Sequence, residues 1–132
     1  MDVPGILIVD DEQDTRDVLR DYLSNRIECK IIEAANGYEA IEKLQNEPID
    51  LILLDIKMPG ISGTEVIEKA RKISKDTGII VITKYDGSMV SKQVGQSGAD
   101  YIPKPLSLKV VRAKVEEKLK AAGKLFPKQG AV

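Results

Sequence analysis

Histidine is absent from this 132-residue chain. Its absence excludes Ser-His-Asp triads, His-ligated zinc and any phosphohistidine carried by the chain itself. Cysteine occurs once, as Cys29, so no intrachain disulfide can form, and a reducing compartment is compatible with that. Long hydrophobic runs are missing, since none approaches the ~20 residues a membrane helix needs. The opening Met1-Asp2-Val3-Pro4-Gly5 lacks the basic start and apolar stretch of a signal peptide. The expectation is a cytoplasmic protein that does not enter a membrane. Neither sign of charge dominates: 20 Lys and Arg stand against 21 Asp and Glu, for a net charge of −1. That balance argues against a whole-surface affinity for nucleic acid or anionic lipid, and no direct nucleic-acid binding by this chain is expected. No Gly-x-Gly-x-x-Gly follows the first apolar run, so a dinucleotide or flavin site lacks its usual signature.

Short apolar runs alternate with helical patterns along the chain. Ile6-Leu7-Ile8-Val9, Leu51-Ile52-Leu53-Leu54 and Ile79-Ile80-Val81-Ile82 are unbroken and rich in branched residues. A strand covered by helices on both faces reads that way, as in a parallel sheet. Residues 29–34 mix polar and apolar types and suit a strand nearer the sheet edge, and Tyr101-Ile102 is a short final strand. Between them run helical stripes: Val18, Leu19, Tyr22 and Leu23; Ala40, Ile41 and Leu44; Val66, Ile67, Ala70 and Ile73; and Leu108, Val111, Val115 and Leu119. Ser62 and Glu65 have capping-box spacing, and Gly123 is placed to end the last helix. A further helix is expected around 88–95, marked only by Met89, Val90 and Val94. Four Glu-to-Lys pairs at i,i+4 spacing, Glu39–Lys43, Glu65–Lys69, Glu68–Lys72 and Glu116–Lys120, each add a few tenths of a kcal/mol at most. The alternation predicts one doubly wound α/β domain over 1–122, with 123–132 a tail or the start of a linker.

Chemistry in such sheets gathers beyond the carboxyl ends of the strands. Asp10 and Asp11 follow the first run, Asp55 the third, Thr83 the fourth and Lys104 the last. Three converging carboxylates repel one another, and an all-oxygen set without His or Cys suits a hard cation, Mg²⁺ first and Mn²⁺ second. Lys104 adds a positive charge and Thr83 a hydroxyl. A carboxylate so placed has what a phosphoryl acceptor needs. Singly, each residue has an ordinary use: an Asp caps a helix, a Thr ends a strand, a Lys-Pro step makes a turn. Only the set carries the reading.

Ile8-Val9-Asp10-Asp11, Leu53-Leu54-Asp55-Ile56-Lys57-Met58-Pro59-Gly60, Val81-Ile82-Thr83 and Gly98-Ala99-Asp100-Tyr101-Ile102-Pro103-Lys104-Pro105 resemble the receiver domains of two-component response regulators. The resemblance spans roughly residues 5–122. It implies a flavodoxin-like fold, a five-stranded parallel sheet in the order 2-1-3-4-5 with helices on both faces. It also implies that Asp55 is phosphorylated by a partner histidine kinase, a phosphotransfer protein or a small phosphodonor. Mg²⁺ would be held by Asp11, Asp55 and the backbone carbonyl of Lys57, and by Asp10 through water. Thr83 and Lys104 would bind phosphoryl oxygens, and Tyr101 would move with Thr83 as the switch. The Lys104–Pro105 peptide would be cis. The phosphorylated chain would control a downstream protein or output domain, and a homodimer through the last two helices and the last strand is compatible with the family. Such a chain is a regulatory phosphoacceptor that promotes its own phosphorylation and dephosphorylation, not a dedicated metabolic enzyme.

The chain departs from the family pattern after Thr83, where Lys84 and Tyr85 stand in place of a small residue. Lys84 at the rim of the site would shield the acyl phosphate from water or point to solvent, and Lys57, two residues past Asp55, stands where the resemblance implies an influence on phosphate lifetime. Two other readings stay open: a receiver-like scaffold independent of phosphorylation, and an Asp-nucleophile phosphatase of the haloacid dehalogenase type. The second normally carries an acidic residue two positions after its nucleophile, where this chain has Lys57.

Overall fold

The computed structural model describes residues 3–55, 63–83 and 98–128. In chain order these form β1 (Gly5–Val9), α1 (Gln13–Ser24), β2 (Lys30–Ala34), α2 (Gly37–Asn46), β3 (Leu51–Asp55), α3 (Gly63–Ile73), β4 (Gly78–Thr83), β5 (Asp100–Pro103) and α4 (Leu108–Ala121). The expected helix around 88–95 and Ser62 of the expected capping box lie outside the described residues.

All five strands pair in parallel, in the order β2-β1-β3-β4-β5. The apolar runs become the three inner strands, the mixed segment 29–34 gives the edge strand β2 as its composition predicts, and the short final strand β5 forms the other edge. Each inner strand deals its side chains alternately to two cores. Leu7, Val9, Ile52, Leu54, Ile79 and Val81 face one core, with Ala40 and Leu44 of α2 and Val66, Ile67 and Ala70 of α3. Ile6, Ile8, Leu51, Leu53, Ile80, Ile82 and Ile102 face the other, with Leu19 and Leu23 of α1 and Val111, Val115 and Leu119 of α4. Winding reverses between β1 and β3, and the crevice of a doubly wound sheet opens beyond the ends of those two strands.

Among the described residues, side chains cap the starts of α2 and α4. Asn36 Oδ1 accepts from Glu39 N at 2.9 Å, and Glu39 Oε2 accepts in turn from Ala35 N at 2.7 Å. Ser107 caps α4 by accepting from Val110 N at 3.4 Å. α4 ends in a Schellman motif: Gly123 has φ of 72°, its N–H donates to Lys120 O, and Lys124 N donates to Leu119 O. The Lys104–Pro105 peptide is cis, as the resemblance implied.

Three expectations need correction. Val18 and Ile73 belong to helical stripes by phase, yet they are 49% and 48% exposed. Phase fixes the direction of a side chain, but burial also needs an opposing element at that height. Leu19 and Leu23 suffice to seat α1, which leaves Val18 on the outer flank, and Ile73 is the last residue of α3. The aperiodic segment after Gly123 is also not a free tail over its described length. Pro127 bridges Ile27, Glu28 N donates to Phe126 O at 2.8 Å, and Lys128 N donates to Arg26 O at 2.9 Å. Leu125 packs against the α1/α4 core, and the Lys124 ammonium pairs with Asp50.

Candidate functional site at the carboxyl edge of the sheet

The alternation that builds the cores also builds the site. Ile6 and Ile8 point to the α1/α4 core, and Asp10 is the next residue in that phase. Leu51 and Leu53 do the same ahead of Asp55, and Ile102 ahead of Lys104. At the strand ends, charged side chains thus replace apolar ones on one face of the sheet. The register makes them meet: Val9 pairs with Leu54, so one residue further Asp10 stands level with Asp55.

The carboxylates of Asp10, Asp11 and Asp55 each offer an oxygen within 4.8 Å of the others. Asp10 and Asp55 are buried and Asp11 is exposed, so the cluster is open on one side. Lys104 Nζ lies 3.2 Å from Asp55 Oδ2. Burial raises the pKa of Asp10; a bond from Glu12 N to its Oδ1 at 2.9 Å opposes this, and the charge of Asp55 adds to it. A desolvated carboxylate pressed by two others calls for a counter-cation. The donor atoms are all oxygens, two of the three residues are buried and one side is open, which fits a hard divalent ion such as Mg²⁺.

Asp10, Asp11, Asp55 and Lys104, predicted from their positions after apolar runs, are brought together. Thr83 ends β4, level with Pro103 of β5, and its side chain lies outside what is described. Tyr101 is half-buried and packs against the α2/α3 core. Lys57, Lys84 and Tyr85 lie outside the described residues. Sequence reasoning missed Arg16 and Glu33. Arg16 Nη1 donates to the Asp10 carbonyl at 2.7 Å, and its Nε pairs with Glu33 at 3.2 Å. The available signals were an acidic residue inside the apolar part of β2 and an arginine in the helix that follows the acidic turn.

A family model described as the response regulator receiver domain matches residues 6–116. The chain is 43% identical over 118 residues to the transcriptional regulatory protein ResD of Bacillus subtilis, covering 89% of this chain and 48% of that protein. It is 32% identical over 117 residues to sporulation initiation phosphotransferase F of the same organism, covering 86% of this chain and 92% of that protein. Among solved structures it resembles a CheY-like response regulator receiver domain protein from Methanospirillum hungatei. That match has a TM-score of 0.86 and 34% identity, and it covers 93% of this chain and 98% of that one. The chain spans about half the length of ResD and of several other curated relatives it matches.

Proposed function

Because the chain belongs to the response regulator receiver domain family of two-component signalling, we propose that its carboxyl-edge cluster is a phosphoacceptor site with Asp55 as the acceptor. The observation that carries this reading is the Lys104 ammonium 3.2 Å from a buried Asp55, beside two further carboxylates at the winding reversal. One Asp55 carboxylate oxygen attacks phosphorus, the bond from phosphorus to the donor breaks, and an acyl phosphate forms. Lys104, beside Asp55 Oδ2, stabilises the negative charge of the phosphoryl oxygens as they approach.

Receiver domains generally bind Mg²⁺ at an acidic pocket. In this chain Asp11 and Asp55 would hold it directly, Asp10 through water, and the Lys57 carbonyl would complete the protein's share. The ion, when bound, neutralises charge between carboxylates and phosphoryl oxygens. Thr83 bonds a phosphoryl oxygen in the phosphorylated state and Tyr101 follows it inward, so the two states differ in contacts that a partner can read. Lys84, next after Thr83 in the sequence, lengthens the lifetime of the acyl phosphate. The phosphodonor is a sensor histidine kinase or phosphotransfer protein in the cytoplasm, and the reader is a downstream protein or output domain.

Acetyl phosphate with Mg²⁺ tests the reading. One phosphoryl mass is expected on the wild type and none on Asp55→Asn, and EDTA should stop labelling. Undiminished labelling of the Asn variant overturns the assignment of Asp55.

A further inference from the structure

The acidic turn is tethered from behind. Arg16 lies in the first turns of α1 with its side chain 14% exposed. Its forked guanidinium makes two bonds in different directions. Nη1 donates to the main-chain carbonyl of Asp10 at 2.7 Å, and Nε pairs with Glu33 Oε1 at 3.2 Å. Glu33 sits on the edge strand β2, in register with Ile8, two residues before Asp10. Its other oxygen pairs with Arg20 Nη1 at 3.3 Å. A line of charge contacts thus runs from Arg20 through Glu33 and Arg16 to the backbone of the acidic turn.

The Asp10 carbonyl belongs to the peptide that joins Asp10 to Asp11. A peptide is planar, so holding its oxygen also fixes the direction of the Asp11 N–H. Asp11 then turns only about its own two backbone dihedrals. Asp10 is tethered twice more: its N–H donates to Ala34 O at 3.1 Å, and its Oδ1 accepts from Glu12 N at 2.9 Å. Arg16 brings positive charge to the turn through the carbonyl, where it does not cap the carboxylates that must face a cation.

We propose that Arg16, anchored by Glu33, is a positioning residue that presents the Asp10 and Asp11 carboxylates to the divalent ion. This rests on the metal-binding reading of the pocket above. The role needs a planar fork that reaches a carbonyl and a carboxylate together; a lysine carries the charge but ends in a single point.

The test measures Mg²⁺ affinity of the full chain by calorimetry, with the metal-free amide spectrum and a thermal melt recorded for each protein. The variants are Arg16→Gln, Arg16→Lys and Glu33→Gln, with Asp11→Ala as the control that removes a ligand. Arg16→Gln should bind Mg²⁺ roughly tenfold more weakly, the scale of lost outer contacts at metal sites. It should also move the Asp11 amide resonance before any metal is added. Arg16→Lys should recover only part of the affinity. Glu33→Gln should lose affinity in the same direction by a smaller factor and add nothing in the Arg16→Gln background. Wild-type affinity in Arg16→Gln, or full recovery in Arg16→Lys, overturns the proposal while leaving the phosphoacceptor reading intact. If Arg16→Gln fails to fold, Glu33→Gln decides, and unchanged affinity there overturns the proposal. A wild type that binds no Mg²⁺ overturns both readings.

Discussion

Asp55 and Lys104 are held at 3.2 Å across 49 residues of sequence, and each matters through the other. Removing the lysine leaves a buried carboxylate among carboxylates and, in the proposed phosphoryl transfer, takes a donor from the charge that builds up. Lys104→Ala should label from acetyl phosphate roughly a hundredfold more slowly, as measured by intact mass against time, with Mg²⁺ still required. Cys29 makes a contrasting residue-scale case. Burial pushes its thiol from the ordinary 9.0 up to about 11. The thiolate is the reactive form, and at pH 7.5 a thiol at 11 holds about a hundredfold less of it than one at 9.0. Alkylation by iodoacetamide should therefore be slow in the native protein, rise with pH through the range 8 to 10, and accelerate in urea. Equal rates in native and unfolded protein would contradict the assignment.

At the scale of single elements, two close fits are open to test. β1 begins at Gly5, which exchanges bonds with Asp50: its N–H donates to Asp50 Oδ2 at 2.9 Å and its carbonyl accepts from Asp50 N at 2.8 Å. A Cβ on Gly5 would run into the Pro48 carbonyl, which is backbone and cannot swing away. Gly5→Ala should destabilise by about 1–3 kcal/mol, read from urea denaturation. Gly78, at the start of β4, differs. Its added Cβ would meet Leu51 Cδ1 at 2.8 Å, the far end of a flexible side chain, and Gly78→Ala should cost less than Gly5→Ala. At α2 the reciprocal bonds of Asn36 and Glu39 satisfy two N–H groups near the helix start, and Asn36→Ala should cost about 1 kcal/mol.

Across the whole molecule, the segment after α4 closes the end of the fold opposite the acidic cluster. The Schellman turn at Gly123 sends the chain back, Lys124 reaches Asp50 at the start of β3, Leu125 covers the α1/α4 core, and Pro127 meets Ile27. Asp50 also accepts from Gly5 N, so one side chain joins the beginnings of β1 and β3 to the end of α4. Ending the chain at Gly123 exposes Leu125's partners and leaves the main-chain groups of Arg26 and Glu28 without these bonds. A chain of residues 1–123 should melt several degrees below one of residues 1–128, on the order of 2 kcal/mol in stability. Coincident melts would mean that the clasp adds nothing to the fold.

The sequence by itself determined what a single element can encode. Unbroken branched runs specified the inner strands, mixed composition specified the edge strand β2, and the polar residue closing each apolar run marked Asp10, Asp55 and Lys104. Those signals are legible because the alternation of a strand and the stripe of a helix are properties of consecutive residues. Tertiary structure decided whatever depends on which element stands opposite. It left Val18 and Ile73 in solvent although their phase is right, and it folded the aperiodic residues 124–128 onto the α1–β2 connection. It also set Arg16 between a carbonyl six residues back and a carboxylate seventeen residues on. No periodicity announces such a bond, because its geometry exists only once α1 and β2 have both packed against β1.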